Sequence, residues 1–345
     1  MKALILAGGL SSGLLPLTIN TPKPLLPIGN YPLILFQVNQ LKKAGITEII
    51  LSLSYQPRLI QDILGDGSNF GLLLRYHVES TPLGTAGAFK VAENLIDDTT
   101  IVLNGDILSE MAFDECLDTH RKYKGLVTIA ACSVANPRSY GVVEVDDKGR
   151  VTGFIEKPRG RAIRANTINA GVYVLEPDVL QWIPRDRPFF FEKDLFPILL
   201  ERRVPFFARA VGEYWREITR PYNYLQSNMD FLDKRISEPQ FHGFRKQNHC
   251  PQNPEVQVKG ESLIDERCMI KQGAEIDHSV VGAHCRIEEG AVVRNSVLWP
   301  GCRIGRKAFV SGSILGRGCT IGEGSLVHAG NILGDKTSLT SYCRT

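Results

Sequence analysis

The chain has little of what would tie it to nucleic acid, to a membrane or to a disulfide framework. Across 345 residues the formal net charge is only +3, too small to argue for a nucleic-acid or membrane-surface partner. No stretch reaches 18 apolar residues, and the apolar run at residues 3–7, preceded by Lys2, is too short for a signal-peptide core. These absences predict a cytoplasmic protein with neither nucleic acid nor membrane as a partner. The eight cysteines include no Cys-x-x-Cys pair, which removes the commonest zinc and redox spacings. Cys268, Cys285, Cys302 and Cys319 instead recur every 17 residues. A metal site needs ligands that converge on one point, whereas a fixed period predicts one cysteine per coil of a solenoid, stacked as free thiols.

What is present is concentrated near the start. The apolar run at 3–7 reads as a buried parallel strand. It empties into Gly8 and Gly9, followed by Ser11, Ser12 and Gly13. A glycine-rich turn at a strand end lets backbone N–H groups approach a phosphate. Pro16, Pro22, Pro24 and Pro27 then forbid an immediate helix. A dinucleotide-binding turn would open a helix after its last glycine, and a P-loop would end in Gly-Lys-Ser/Thr. Neither pattern follows here. An extended loop instead carries one lysine, Lys23, between two prolines.

Ala7-Gly8-Gly9, Pro16-Leu17-Thr18 and Pro22-Lys23-Pro24-Leu25, in that order, resemble the signature of the sugar-1-phosphate nucleotidyltransferases, closest to the mannose-1-phosphate guanylyltransferase type. The chain departs from it at Ser11-Ser12-Gly13-Leu14-Leu15-Pro16, where the family has Gly-Thr-Arg-Leu-Arg-Pro. Both arginines are missing, and the resemblance implies that the first would clamp nucleotide phosphates.

Residues 1–235 alternate apolar strands (3–6, 48–53, 72–77, 100–103) with amphipathic helices (33–44, 57–64, 86–94). This order predicts a parallel sheet flanked by helices, with ligands at the carboxyl ends of the strands. Strand-like pieces at 126–132, 141–144, 151–156 and 170–175 predict an antiparallel insertion, and 191–201 and 221–232 read as helical. Residues 236–254 are polar and proline-bearing, a linker. From 255 to 345 the Cys-x-Ile units recur with glycines at matching offsets, predicting coils of 17 or 18 residues, each built of three hexapeptides. Ordinary hairpins would not generate that period. The expected class is therefore α/β: a Rossmann-like mixed-sheet nucleotidyltransferase domain followed by a left-handed parallel β-helix. Open ends and flat faces of such a helix predict a homo-oligomer.

The resemblance then implies roles by position. Leu6, Ala7, Gly8 and Gly9 would line the nucleotide, with Pro82, Gly84 and Thr85 of Pro82-Leu83-Gly84-Thr85-Ala86-Gly87 at its base. Glu79 falls where the family reads the base edge; a carboxylate accepts two hydrogen bonds from guanine, which favours GTP. Gly141, Glu156, Lys157 and Asn169 would bind the sugar phosphate. Asp106 of Asn104-Gly105-Asp106 would hold Mg²⁺. Its second ligand would be Glu217, in Trp215-Arg216-Glu217-Ile218-Thr219-Arg220-Pro221, where the family has aspartate at 217 and glycine at 219. Lys23, Lys157 and Asp106 would carry the chemistry on an NTP and a sugar 1-phosphate. Two other readings stand beside this one: a catalytically impaired, nucleotide-sugar-binding paralogue, and an acyltransferase run by the solenoid. His278, His284 and His328 on the solenoid are read as structural.

Overall fold

The computed structural model describes residues 1–9, 11–158, 165–185, 187–212, 214–241, 248–249 and 255–345. Much of the expected linker, residues 242–247 and 250–254, lies outside the described residues. The chain forms two compact units. One comprises residues 1–10 and 37–215; the other combines 11–36 with 216–345.

The first unit is built on one nine-stranded mixed sheet. Its strands in chain order are β1 (Lys2–Leu6), β2 (Glu48–Leu53), β3 (Leu73–Val78), β4 (Thr100–Asn104), β5 (Val127–Ser133), β6 (Gly141–Val145), β7 (Val151–Glu156), β8 (Thr167–Leu175) and β9 (Phe206–Ala210). The order runs β7-β6-β8-β4-β1-β2-β3, with β5 pairing both β8 and β9. β1, β2, β3 and β4 are mutually parallel, as the βαβ pattern predicts. Leu4, Ile50 and Val102 are buried on one face and Ile5, Leu51 and Leu103 on the other, so these strands read as continuous apolar runs. The antiparallel pieces do not form a separate layer: β8 pairs directly with β4 and extends the same sheet.

Helices α1 (Leu33–Lys43), α2 (Pro57–Leu64), α3 (Gly84–Val91), α4 (Phe113–Tyr123) and α5 (Phe196–Glu201) connect the strands. A π turn, Phe191–Leu195, precedes α5, because Pro197 has no amide with which to close an α bond to Lys193. Tyr173, Phe191, Phe196 and Phe206 form an aromatic core against this face of the sheet.

In the second unit, helix α6 (Pro221–Leu232) accompanies a three-sided parallel β-helix. Three five-stranded parallel sheets make its walls. Ile276, Val293, Val310 and Val327 pair in register at 17-residue steps, while Ile314 to Ile332 takes 18. Cys285, Cys302 and Cys319 stack in the dry interior, each thiol donating to a main-chain carbonyl. They are unbridged, as the period predicted. A second column went unread in the sequence. The Ser262 hydroxyl accepts the Ser279 amide at 3.2 Å, Ser279 accepts Ser296 at 3.1 Å, and Ser296 accepts Ser313 at 3.2 Å.

Candidate active site

At the carboxyl end of β1 the Ala7 amide donates to the Ser52 carbonyl at 2.9 Å, continuing the ladder. Gly8 follows, its carbonyl accepting from the Ser54 hydroxyl. A Cβ on Gly9 would meet nothing within 4 Å, so the turn opens onto free space on that side. The turn after β4 is seated directly against it. The Gly105 amide donates to the Leu6 carbonyl at 2.9 Å. A Cβ on Gly105 would stand 2.6 Å from that oxygen and 3.0 Å from Ala7 Cα, so only glycine fits. This close approach delivers half-buried Asp106 to the head of the glycine turn.

Glu79 sits on the other flank. One carboxylate oxygen accepts the Ser52 hydroxyl at 2.6 Å, and the other accepts the Leu83 amide at 3.3 Å. The carboxylate is thereby oriented while keeping lone pairs to spare. Pro82 is exposed, and Gly84 and Thr85 are half-buried at the start of α3. Two of that helix's free amides, Ala86 and Gly87, are taken by the Phe189 carbonyl at 3.0 and 2.9 Å. Thr85 likewise faces the protein: its hydroxyl donates to Glu192 at 3.1 Å and accepts the Phe191 amide at 3.0 Å.

The sugar-side candidates converge on β8. Asn169 donates to the Tyr173 hydroxyl at 2.9 Å and accepts the Gly171 amide at 2.9 Å. Tyr173, fully buried, donates on to Glu192 at 2.9 Å. Thr85 therefore connects to Asn169 through Glu192 and Tyr173. Glu156 ends β7 beside Gly141; a Cβ on Gly141 would stand 2.9 Å from its carboxylate. Burial, then the neighbouring Glu192, raises the Glu156 pKa, with Lys157 at 3.6 Å opposing. Lys157 itself is exposed and takes a left-handed backbone, φ 45°.

The remaining candidates belong to the second unit. Lys23 opens a single 3₁₀ turn, Lys23–Leu25. Gly13 lies in the turn Ser12–Leu14, pressed against the other departing segment. A Cβ on Gly13 would stand 2.5 Å from the Thr219 carbonyl oxygen, and 4.0 Å from Cδ of exposed Arg220. The departures at 13 and at 217–219 are thus in contact: the backbone of one fills the space a side chain on the other would need. Glu217 is half-buried; Asn223 donates to its carbonyl at 2.8 Å. An ion pair with a buried carboxylate braces this stretch, Arg216 to Asp230 at 2.7 Å.

The model of the family described as "Nucleotidyl transferase" matches residues 2–234, more than half of the chain. The chain belongs to the nucleotidyl transferase family. A second model, described as "EIF2B subunit epsilon LbH domain", matches residues 242–344, in keeping with a left-handed β-helix. Among relatives of this nucleotidyl transferase, the "Probable mannose-1-phosphate guanylyltransferase 1" of Oryza sativa subsp. japonica is 36% identical over 286 residues, covering 81% of this chain and 76% of the relative. The "Mannose-1-phosphate guanylyltransferase" of Mycobacterium tuberculosis is 33% identical over 287 residues, 81% and 79% of the two chains. A solved structure of a putative glucose-1-phosphate thymidylyltransferase from Bacillus anthracis, in complex with a sucrose, superposes with a TM-score of 0.63 at 26% identity. It covers 70% of this chain and 98% of that one.

Nucleotidyl transferases of this family generally use a divalent metal ion. Among the described residues no group of three or more His, Cys, Asp or Glu is placed to hold one. The two candidates, Asp106 and Glu217, are carboxylates, a donor type that suits a hard divalent cation. No helix of the described residues is long and apolar enough to cross a membrane. Sequence reading missed Ser52, Ser54, Tyr173 and Glu192. Glu192 carried a usable signal, an acid directly after Phe189-Phe190-Phe191, since a charge at the end of a buried aromatic run needs a partner.

Proposed function

We propose that this nucleotidyl transferase joins an NTP, GTP favoured, to a sugar 1-phosphate, giving an NDP-sugar and pyrophosphate. Mannose 1-phosphate is the favoured acceptor and glucose 1-phosphate the next. The names of the relatives support the reaction class. The observation that carries the reading is the Asp106 turn seated on Leu6 and Ala7 at the head of the open glycine turn.

In this reaction a phosphate oxygen of the sugar ester attacks the α-phosphorus. The bond from that phosphorus to the bridging oxygen breaks, and pyrophosphate leaves with the electron pair. The attacking oxygen is already anionic, so no protein nucleophile or base is needed. The protein must align two anions and offset their repulsion. Main-chain N–H groups at Gly8 and Gly9 would receive the triphosphate, and Lys23 would neutralise it. Glu79 would accept from the base edge. Lys157 would neutralise the sugar phosphate, while Glu156 and Asn169 hold sugar hydroxyls and Gly141 lets the ring approach. Asp106 and Glu217 would hold Mg²⁺, which when bound supplies positive charge against the phosphates. Location in the cytoplasm and self-association through the β-helix complete the proposal.

A missing phosphate clamp costs about 3–4 kcal/mol in such a transfer. Gly13 cannot supply it, and exposed Arg220, whose stem passes beside Gly13, is the cation assigned here. The tight packing of Gly13 on Thr219 also favours a second reading, a paralogue that binds a nucleotide sugar without making one. Pyrophosphate release across several pairs of NTP and sugar 1-phosphate decides. Turnover with GTP and mannose 1-phosphate is expected. No release with any pair, together with tight NDP-sugar binding in a thermal-shift screen, selects the second reading. Activity confined to transfer of acyl groups would overturn both.

A further inference from the structure

The segment that carries Lys23 packs in one unit with the β-helix, and the contacts within that unit fall on both sides of the lysine. Before it, Pro16 lies against Gly334, where an added Cβ would stand 3.1 Å from Pro16 Cβ. Asn20 donates to Asp335 at 3.2 Å. After it, the Trp299 indole N–H donates to the Tyr224 hydroxyl at 2.8 Å, and that hydroxyl donates to the Pro27 carbonyl at 2.7 Å. Gly29 donates to Asn228 at 2.9 Å, and Asn30 donates to the Val281 carbonyl at 3.2 Å.

The relay through Tyr224 is the deepest of these anchors. Trp299 and Tyr224 are fully buried, their rings meet edge to face at 6.4 Å, and the Arg317 guanidinium lies 5.7 Å from the Trp299 ring. The indole and the phenol have one donor each, so each donor has a single use here. Buried, neither group has water to turn to when its partner is lost. Burial also raises the Tyr224 pKa well above the ordinary phenol value, so the hydroxyl keeps the proton it donates. Pro22, Pro24 and Pro27 have fixed φ angles, so pinning the Pro27 carbonyl constrains the backbone back to Lys23.

We propose that Trp299 is a positioning residue for Lys23: the β-helix, through the Trp299–Tyr224–Pro27 relay, sets where that lysine stands. The proposal rests on the reading of Lys23 as a phosphate contact. The test uses the full chain carrying Trp299→Phe, which keeps an aromatic ring and removes the donor. Asn30→Gly serves as an independent second variant; it keeps the left-handed backbone of Asn30, φ 66°, and removes its bond to Val281.

Amide hydrogen exchange and the rate of Lys23 acylation by an amine-reactive ester, read by mass spectrometry, need no catalytic activity. Both should rise severalfold across residues 18–31 in each variant, with β1 unchanged. In steady-state assays the KM for the nucleotide should rise about fivefold, the effect of one lost hydrogen bond, with the KM for the sugar phosphate unmoved. Unchanged exchange and acylation overturn the proposal. Faster exchange with an unmoved nucleotide KM also overturns it, reducing Trp299 to a packing residue. Failure of the unsubstituted protein to bind any nucleotide sinks the reading of the site instead; exchange and acylation then still decide whether the relay holds Lys23.

Discussion

In the first unit Thr85, Glu192, Tyr173 and Asn169 hold one another side chain to side chain. In the second, the segment around Lys23 is held at two of its own main-chain groups, the Pro27 carbonyl and the Gly29 amide, beside the side chains of Asn20 and Asn30. The two modes differ in what they ask of sequence. A side-chain network fails when any member changes, because a buried partner is left without a hydrogen bond. Main-chain groups are the same whatever the residue. The departures from the family signature follow this division. Gly13, Leu15, Glu217 and Thr219 all belong to the second unit, whereas the sugar-side motifs of the first are intact.

The comparison is open to experiment, and the largest effect is expected in the first unit. Asp106→Asn should lower kcat by about two to three decades, with the circular-dichroism spectrum unchanged. A rate within tenfold of the original would show that this carboxylate is not where the chemistry rests. Next comes the contact between the second unit's two departing segments. Gly13→Ala should cost about 1–3 kcal/mol in denaturant unfolding, because the obstacle is the Thr219 main chain rather than a movable side chain. An effect inside experimental error would mean that the segment shifts freely and that its backbone anchors are weak.

Tyr173→Phe is a smaller perturbation. It strands the Asn169 amide and one Glu192 oxygen, and should raise the KM for the sugar phosphate about fivefold, the worth of roughly 1 kcal/mol. No change would show that Asn169 is held by Gly171 alone. The smallest effect is a pH dependence within the first unit. His120, buried between Thr128 at 2.8 Å and Glu176 at 3.0 Å, has its pKa lowered from 6.5 by burial, with Glu176 pulling the other way. The unfolded chain therefore takes up that proton first as pH falls. Stability is unaffected well above 6.5 and declines below it until the folded-state pKa is passed. The thermal midpoint should fall with acidification in this window, and His120→Gln should flatten the slope.

Much of the fold was legible because its periodicities are strong. The strand β2 (Glu48–Leu53) and the helices α2 (Pro57–Leu64) and α6 (Pro221–Leu232) have the predicted bounds. The 17-residue cysteine period announced the solenoid. What stayed hidden was partnership. The apolar pattern of β8 says that it is buried, yet not that it joins β4. Trp299 and Tyr224 look like core aromatics at any position, and only the fold brings them together 75 residues apart. The β9 strand (Phe206–Ala210) escaped notice because two of its five residues are exposed. The opening motif pointed to the family, but a motif records residue types. The Gly13 contact with Thr219 is a matter of close approach, for which a single sequence carries no mark.

The serine column of the β-helix has a thermodynamic corollary. Each hydroxyl receives the amide of the serine one coil further along, so no coil closes its own polar account. Removing a coil strips a neighbour of an acceptor as well as of apolar cover. The array should consequently fray from its ends in whole-coil steps, with an interior break costing two interfaces at once. Serine-to-alanine exchanges in mid-array would convert that stepwise retreat into opening from the middle.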